Sequence, residues 1–254
     1  MYQTVEVART AAISPQYLRL VIHAPEMARA AQPGQFMMLR AWEGMDPFLM
    51  RPISINDADG QAGTVSFLYK VVGAGTALMA KLRVGDTLQV LGPLGHGFPL
   101  PAEARRIAVI GRGIGIAPLR LLARRAREQG TEVYAYLSAK EENQLFDREE
   151  LEALGAVVRT TCDAGVNVTR FFAEDLETLA FDAAYSCGSR RLMGEMHRLH
   201  LEHGFASYVS LEEHMACGIG ACKGCVCKTH DADGSQQYET VCQCGPVFPT
   251  ERIV

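Results

Sequence analysis

A glycine-rich stretch near the end of the sequence, EEHMACGIGACKGCVC (212–227), holds four of the eight cysteines of the chain. Cys217, Cys222 and Cys225 follow the pattern C-x4-C-x2-C, and sixteen residues separate Cys225 from Cys242. Three clustered thiolates and one distant thiolate are the ligands of plant-type [2Fe-2S] clusters. Structural zinc is the alternative, but its cysteines usually come as two short pairs. The spacing therefore predicts a [2Fe-2S] cluster held by these four cysteines.

The remaining residues of this stretch have supporting roles. Gly218, Gly220 and Gly224 would let the backbone wrap around the cluster and aim N–H groups at its sulfur atoms, through backbone angles that other residues avoid. Cys227 and Cys244 are surplus, and we interpret both as small buried apolar residues. Cys244 is nevertheless close enough in sequence to compete with Cys242 for the fourth ligand position.

A second candidate site is the glycine-rich sequence GRGIGIAP (111–118), which lies between a predicted strand and a predicted helix. Pro118 suits the first position of that helix, so backbone N–H groups of the loop could face a pyrophosphate at the helix N-terminus. A loop of this kind also occurs as a tight turn without any ligand. The motif is informative only together with others.

Three short motifs precede that loop: RPIS (51–54), LYK (68–70) and GAGT (73–76). An arginine before a proline can present a rigid fork to phosphate, and backbone N–H groups of the glycine and threonine could complete a pyrophosphate cradle. Taken singly, each motif is as readily a surface charge or a turn. Their order and spacing favour a phosphate-binding function.

The elements that must position these residues fall into three zones. Residues 1–100 alternate short apolar stretches with Pro, Gly and Asp turn signals, which is typical of an antiparallel barrel or sandwich. Residues 101–208 alternate buried strands with helices, a pattern that predicts a parallel, doubly wound sheet. Residues 209–254 are rich in glycine and cysteine and contain few stretches of helical periodicity.

Composition excludes several classes of function. Apolar residues make up 48% and charged residues 21% of the chain, which is ordinary for globular proteins, and the net charge of -4 argues against nucleic-acid binding. The N-terminus lacks the features of a signal peptide, and no apolar stretch reaches the ~20 residues of a membrane span. We therefore expect a cytoplasmic protein that does not associate with membranes. In that reducing compartment a cysteine cluster binds metal more often than it forms disulfides.

Taken together, these motifs resemble the electron-transfer subunit of type 1B dihydroorotate dehydrogenase, within the larger ferredoxin reductase group. The resemblance includes Cys187-Gly188 after a late strand and GPVF (245–248) after the last cysteine, and it covers essentially the whole chain. It implies an FAD-binding β-barrel at 1–100, a Rossmann-like NAD(P)-binding α/β domain at 101–208 and a [2Fe-2S] segment at 209–254. The FAD contacts it implies are Arg51, Pro52, Ile53, Ser54, Leu68, Tyr69, Lys70, Gly75 and Thr76. The nucleotide contacts it implies are Gly111, Arg112, Gly113, Gly115, Pro118, Cys187 and Gly188.

Two positions depart from the family pattern. Arg112 stands where the family usually has glycine, and Ser189 stands where Cys-Gly-Pro would place proline. The side chain of Arg112 either clamps a phosphate or fills the space that a nicotinamide nucleotide would use. The choice between NADH and NADPH stays open, because no acid ends the predicted strand TEVYAYLS (131–138). Three cations nearby suit a 2′-phosphate or are solvated surface charges: Lys140, Arg190 and Arg191.

The implied function is electron transfer between unlike carriers. A nicotinamide gives up two electrons as one hydride, whereas an iron-sulfur centre takes one electron at a time, so a flavin must stand between them. The expected partner is an FMN-containing, dihydroorotate dehydrogenase-type catalytic subunit in a hetero-oligomer, and no acid-base catalytic residue is expected in this chain. Two alternatives remain: the same relay serving a different reductase, or an FAD and iron-sulfur relay or sensor that does not turn over nicotinamide. Arg112 keeps the second alternative open.

Overall fold

The N-terminal part of the molecule is a closed antiparallel barrel. The computed structural model describes residues 1–162, 166–231 and 233–253. Within the first of these ranges the barrel strands follow the spatial order β1-β2-β5-β4-β3-β6. They are β1 (Tyr2–Ser14), β2 (Tyr17–His23), β3 (Phe36–Arg40), β4 (Arg51–Asp59), β5 (Thr64–Lys70) and β6 (Thr87–Leu94). Short helices α1 (Pro25–Ala30) and α2 (Ala74–Met79) lie in the connections.

The barrel closes around side chains from alternate strand positions. On β2, Leu20 and Ile22 are fully buried, and they pack in one apolar cluster with Phe67 of β5 and Val90 of β6. Successive side chains of a strand point to opposite faces, so the period-2 pattern of the sequence sets which residues face the interior. The prediction of an antiparallel barrel is confirmed.

A largely parallel sheet follows, with helices on both faces. Its strands β7 (Arg106–Arg112), β8 (Glu132–Ser138), β9 (Val157–Thr161), β10 (Ala183–Cys187) and β11 (Ala206–Ser210) pair in parallel. The helices are α3 (Arg120–Glu128), α4 (Arg148–Ala153), α5 (Thr169–Leu176) and α6 (Arg190–His203). Among the described residues, no helix has both the length and the apolar character to cross a bilayer.

Alternation along β7 explains why this sheet is covered on two sides. Ile107 and Val109 face an apolar cluster that contains Leu122 of α3, whereas Ala108 and Ile110 face a second cluster built on α5 and α6. A parallel strand buried on both faces reads as a continuous apolar run in sequence. The predicted doubly wound arrangement is confirmed.

The C-terminal segment is joined to both preceding parts. It forms the hairpin β12 (Val226–His230) and β13 (Gln236–Thr240), then helix α7 (Val241–Cys244) and strand β14 (Val247–Pro249). β14 pairs antiparallel with β11 at the edge of the second sheet. An apolar cluster joins Phe36 and Met38 of β3 to Cys225, Cys242 and Phe248 of this segment. The cysteine loop is therefore seated against the barrel.

The connection from β7 to α3 differs from the expectation for the glycine-rich loop. Residues Gly113–Leu119 form a 3-10 turn, and the α-helix begins only at Arg120, so Pro118 lies before the helix rather than at its first position. A Cβ on Gly115 would lie 2.5 Å from the carbonyl oxygen of Cys187, and Gly113 has a φ of +54°. The close approach to β10 fixes a tighter turn than an α-helix allows.

A buried polar network links the barrel to the α/β sheet. Asp147 has a fully buried side chain, and it forms an ion pair with Arg19 of β2. Asn56 of β4 donates from Nδ2 to Oδ2 of Asp147 at 2.7 Å and to the carbonyl oxygen of Ala117 at 3.1 Å. Arg19 also pairs with Glu150 of α4. The 3-10 turn is thus anchored to a barrel strand through buried hydrogen bonds.

Candidate functional site

A cavity of about 590 Å³ opens where the barrel, the 3-10 turn and the C-terminal segment meet. It is lined by almost all residues expected to contact FAD: Arg51, Pro52, Ile53, Ser54, Leu68, Tyr69, Lys70 and Thr76. Pro118 of the 3-10 turn lines this same cavity, although it was expected in the nucleotide site. Strands β4 and β5 are hydrogen-bonded neighbours, which explains how motifs well apart in sequence share one wall.

Gly75 is required by the position of Arg51. A Cβ on Gly75 would lie 2.6 Å from Nε and 2.7 Å from Cζ of Arg51, so the guanidinium rests directly on the glycine backbone. On its other side the guanidinium lies 5.5 Å from the centroid of the Trp42 ring, within cation-π range. Arg51 also donates to the carbonyl oxygen of Leu49. These contacts hold the fork in place at the cavity.

We expect Gly75→Ala to weaken FAD binding by roughly 10- to 150-fold, because the new methyl group displaces Arg51 from a charge-assisted phosphate contact. Gly73→Ala is the matched control in the same motif, since nothing lies within 4 Å of a Cβ at Gly73. Flavin content after gel filtration and fluorescence titration with FAD would measure both. Equal flavin loss in the two variants would contradict the role given to Arg51.

Two further side chains show how the cavity fits a flavin nucleotide. The hydroxyl of Tyr69 is buried and has no hydrogen-bond partner among the described residues. Burial raises the pKa of Tyr69 to about 12, so the hydroxyl stays protonated and can donate to a bound group. Thr76 instead accepts hydrogen bonds from the N–H groups of Val72 and Gly73, at 3.0 and 3.2 Å. Thr76 therefore holds its own turn, and its side chain does not face the cavity as a free donor.

Sequence reasoning missed the acidic residues of this cavity. Glu212, Glu213 and His214 line it, and Oε1 of Glu212 lies 3.8 Å from Sγ of Cys187. Cys187 is itself buried, and burial raises the pKa of its thiol. The sequence did contain a hint of their position, because these residues directly precede the cysteine loop. Cys187 therefore contacts a residue of the flavin cavity, Glu212, although it does not line the cavity itself.

A second pocket, of about 310 Å³, lies at the carboxyl ends of the parallel strands. Arg112 of the glycine-rich loop lines it together with Lys140 and Arg191, whereas Arg190 does not. Arg112 is exposed, and it lines this pocket but not the flavin cavity. Gly188, with φ of +149°, passes beside it, since a Cβ there would lie 4.0 Å from Cβ of Arg112.

The remaining glycines of the loop, Gly111 and Gly115, have a packing role. A Cβ on Gly111 would lie 2.9 Å from Cα of Ile116, and one on Gly115 would meet the backbone of Cys187. Both contacts are with backbone atoms, which have little freedom to move aside. The two glycines therefore bring the loop close to the end of β10.

The cysteine loop has the backbone angles that wrapping requires, with one difference from expectation. Gly218 and Gly220 have φ of +72° and +80°, and a Cβ on Gly218 would lie 2.7 Å from Cγ of Met38. The third left-handed residue is Lys223, with φ of +58°, and not Gly224. Gly224 contributes its N–H group instead, which donates to Sγ of Cys222 at 3.4 Å. The expectation of an unusual backbone angle at Gly224 was wrong, because the turn is made one residue earlier.

The four predicted ligands form two neighbouring pairs. Cys217 interacts with Cys222, and Cys225 with Cys242, while the charge of Cys217 also acts on Cys242. Among the residues described, no three or more His, Cys, Asp or Glu side chains are arranged to hold a metal ion together. Two neighbouring pairs are compatible with two irons that would each take two thiolates.

Hydrogen bonds to sulfur prepare these cysteines for metal. Although burial opposes ionisation, hydrogen bonds from the N–H groups of Cys222 and Ile219 lower the pKa of Cys217 to about 6. Gly220 donates to Sγ of Cys242 at 3.1 Å. Donors aimed at sulfur stabilise the thiolate form that binds iron. At Cys242, however, burial and the neighbouring Cys225 outweigh this donor and raise the pKa to about 12.

The surplus cysteines are less buried than expected. Cys227 and Cys244 are both half-buried, at the border of the apolar cluster that contains Cys225 and Cys242. Burial raises the pKa of Cys227 to about 11, with Glu213 adding to the effect. The expectation of small buried apolar residues therefore holds in part, because both side chains pack against the edge of this cluster without being fully buried.

Comparisons with known proteins agree with this geometry. Two family models match the chain, the oxidoreductase FAD-binding domain over residues 4–98 and the iron-sulfur cluster binding domain of dihydroorotate dehydrogenase B over residues 212–254. The solved structure of an NADH-dependent reduced ferredoxin-NADP oxidoreductase superimposes with a TM-score of 0.85 at 26% identity, covering 98% of this chain and 89% of that one. A ferredoxin NADP+ reductase from Neisseria gonorrhoeae shares the fold, with a TM-score of 0.65 at 22% identity over 80% of this chain and 92% of that one.

Relatives of similar length carry the same name. The electron transfer subunit of dihydroorotate dehydrogenase B (NAD(+)) from Bacillus cereus (strain B4264) is 36% identical, covering 99% of this chain and 98% of the relative. The corresponding protein from Shouchella clausii (strain KSM-K16) is 37% identical, covering 92% and 91%. The resemblance inferred from the motifs is confirmed, and the chain belongs to the family of dihydroorotate dehydrogenase B electron transfer subunits.

Proposed function

We propose that this chain passes electrons from a nicotinamide nucleotide, through FAD and a [2Fe-2S] cluster, to the FMN-containing catalytic subunit of a dihydroorotate dehydrogenase in a cytoplasmic hetero-oligomer. One observation carries the proposal. Phe36 lines the flavin cavity and also packs in the apolar cluster that encloses Cys225 and Cys242. The wall of the flavin cavity and two of the predicted cluster ligands therefore belong to one apolar cluster.

The sequence between the two sites is equally short. Met215 lines the flavin cavity, and Cys217 begins the cysteine loop two residues later. FAD, when bound, supplies the exchange between hydride transfer and single-electron transfer. The chain provides position and exclusion of water: Arg51 would hold a phosphate of the flavin nucleotide, the Tyr69 hydroxyl would donate a hydrogen bond to it, and Phe36 contributes an apolar wall.

The proposed division of labour follows the three zones of the sequence. Residues 1–100 bind FAD, residues 101–208 bind the nicotinamide nucleotide, and residues 209–254 hold the cluster. Positions 163–165, 232 and 254 of these zones lie outside the described residues. The last zone also completes the second sheet through β14. Nucleotide and cluster segments are therefore held in one framework, which suits a relay that needs fixed distances.

Anaerobic reduction tests this function directly. The chain loaded with iron, sulfide and FAD is mixed with NADH or NADPH in a stopped-flow instrument, and bleaching of flavin and cluster absorbance is followed. We expect flavin bleaching first and cluster bleaching second. If neither NADH nor NADPH bleaches the flavin or the cluster, the proposal is overturned, and a relay or sensor that takes its electrons from another donor is favoured.

Arg112→Gly should raise the apparent KM for the nucleotide by roughly 10- to 150-fold and leave the FAD content unchanged. The reason is that the exposed guanidinium lines the nucleotide pocket and not the flavin cavity, and a charge-assisted phosphate contact contributes about 1.5–3 kcal/mol. Steady-state reduction of an artificial electron acceptor measures the KM. A glycine variant that reacts faster than the parent would mean that Arg112 blocks the site.

A further inference from the structure

The 3-10 turn Gly113–Leu119 lies between the two candidate sites. Ile114, Ala117 and Pro118 of this turn line the flavin cavity. Arg112, which directly precedes the turn, lines the pocket at the carboxyl ends of the parallel strands. A shift of the turn relative to the barrel would therefore change the distance between a nucleotide held at the strand ends and a flavin held on the barrel.

One side chain of the barrel, Asn56, holds this turn in place. It lies on β4 two residues after Ser54 of the RPIS motif, and it is fully buried. Its Nδ2 atom donates to the carbonyl oxygen of Ala117 at 3.1 Å and to Oδ2 of Asp147 at 2.7 Å. No other side chain of the residues that the structure describes hydrogen-bonds to the turn. The amide therefore uses both of its hydrogens, and one of them fixes the turn to β4.

Asp147 is a fixed anchor for this amide. Its side chain is fully buried, pairs with Arg19 and lies 3.4 Å from the guanidinium of Arg120. Both partners of the Asn56 amide nitrogen are oxygen acceptors, so a flipped amide would turn its own oxygen towards them. Only one orientation of the side chain is therefore favourable, and the position of the turn follows from it.

The other polar contacts of β4 with the α/β sheet hold helix α3 rather than the turn. Asp57, the neighbour of Asn56, pairs with Arg124 at 2.8 Å and with Arg120 at 3.4 Å. Arg124 also donates to the carbonyl oxygen of Ala58. These contacts do not involve the amide of Asn56. Removal of that amide should therefore loosen the turn while the barrel and the α/β sheet stay joined.

We propose that Asn56 is a positioning residue for hydride transfer, because its hydrogen bond to Ala117 sets the separation of the nicotinamide and the flavin. Asn56 itself lines neither the flavin cavity nor the pocket that contains Arg112. Reacting atoms must approach to about 3–3.5 Å, and a displacement of about 1 Å can lower a rate by roughly 100-fold. This inference rests on the proposed function and deepens it.

Asn56→Leu tests the inference, since leucine has the branched shape of asparagine but no donor. We expect the rate constant for flavin reduction at saturating NADH to fall roughly 10- to 100-fold, with the apparent Kd for NADH changed by less than about 3-fold. FAD content should match the parent chain. Asp57→Leu is the matched control on the same strand, and its rate constant should stay within about 3-fold of that of the parent. Stopped-flow absorbance of the cofactor-loaded chain measures the rate constants.

Hydrogen exchange adds a readout that is independent of turnover. Backbone amides in residues 113–119 should exchange at least about 10-fold faster in Asn56→Leu than in the parent chain, and not in Asp57→Leu. If the leucine variant does not fold, Asn56→Ala replaces it with the same expectations.

The outcomes separate this inference from the proposed function. A parent chain that NADH reduces and an Asn56 variant that reacts equally fast would overturn the inference alone. Equal slowing by Asn56→Leu and Asp57→Leu would also overturn it, because the effect would then belong to the whole junction. A parent chain whose flavin is reduced by neither NADH nor NADPH would overturn the proposed function and this inference with it.

Discussion

Cys242→Ser is expected to lose the [2Fe-2S] cluster, with cluster occupancy at least roughly 10-fold below that of the parent chain. Cys242 is buried, interacts with Cys225 and accepts a hydrogen bond from Gly220 at 3.1 Å. Replacing its sulfur by oxygen would remove one of the four thiolates that would hold the cluster and leave the Gly220 N–H facing a hydroxyl. Electron transfer to the partner subunit should be lost with the cluster.

Cys244→Ser is the matched control for that experiment. Cys244 is two residues away on the same short helix, but it is half-buried and no hydrogen bond joins it to the cysteine loop among the described residues. The iron content, the sulfide content and the visible circular dichroism spectrum of Cys244→Ser should therefore match those of the parent chain. FAD content serves as the fold control for both variants. Cluster loss in Cys244→Ser with retention in Cys242→Ser would move the fourth ligand by two residues.

Asp147→Asn is expected to lower the midpoint of thermal unfolding by about 6–12 °C. Breaking a buried ion pair by removing one partner destabilises a protein by about 3–5 kcal/mol, and the lower end applies because Glu150 still faces Arg19. For a chain of this size each kcal/mol shifts the midpoint by about 2–4 °C. Asparagine tolerates the left-handed backbone at this position, where φ is +57°, so the loss reports the charge and not strain.

Glu128→Gln is the control, because Glu128 pairs with Arg124 and Arg125 on the exposed face of α3. An exposed helical ion pair contributes about 0.5 kcal/mol or less, which corresponds to a shift of about 2 °C at most. The rise in fluorescence as FAD is released on heating measures the unfolding midpoint of both variants. A shift for Asp147→Asn no larger than that of the control would show that the network does not stabilise the junction of the barrel and the α/β sheet.

Local patterns in the sequence were enough for the architecture and for the chemistry of the metal ligands. The alternation in TVSFLYK (64–70) follows from the two-residue period of a strand, and the apolar run RIAVIG (106–111) from burial on both faces. The spacing of Cys217, Cys222 and Cys225 depends only on what a cluster requires of a short loop. These are properties of neighbours along the chain, so the sequence alone determined them.

What depends on distant parts of the chain was decided only by the tertiary structure. The 3-10 turn replaced a helix start because Gly115 approaches the backbone of Cys187, which lies seventy-two residues further along the sequence. Phe36 joins the flavin cavity to the cluster, and Glu212 meets Cys187, because the C-terminal segment packs against both β3 and β10. Arg112 enters a pocket with Lys140 and Arg191 because the carboxyl ends of parallel strands share one edge of the sheet. Close approach across a packed interior has no periodic signature in the sequence, so no local pattern could have placed these residues together.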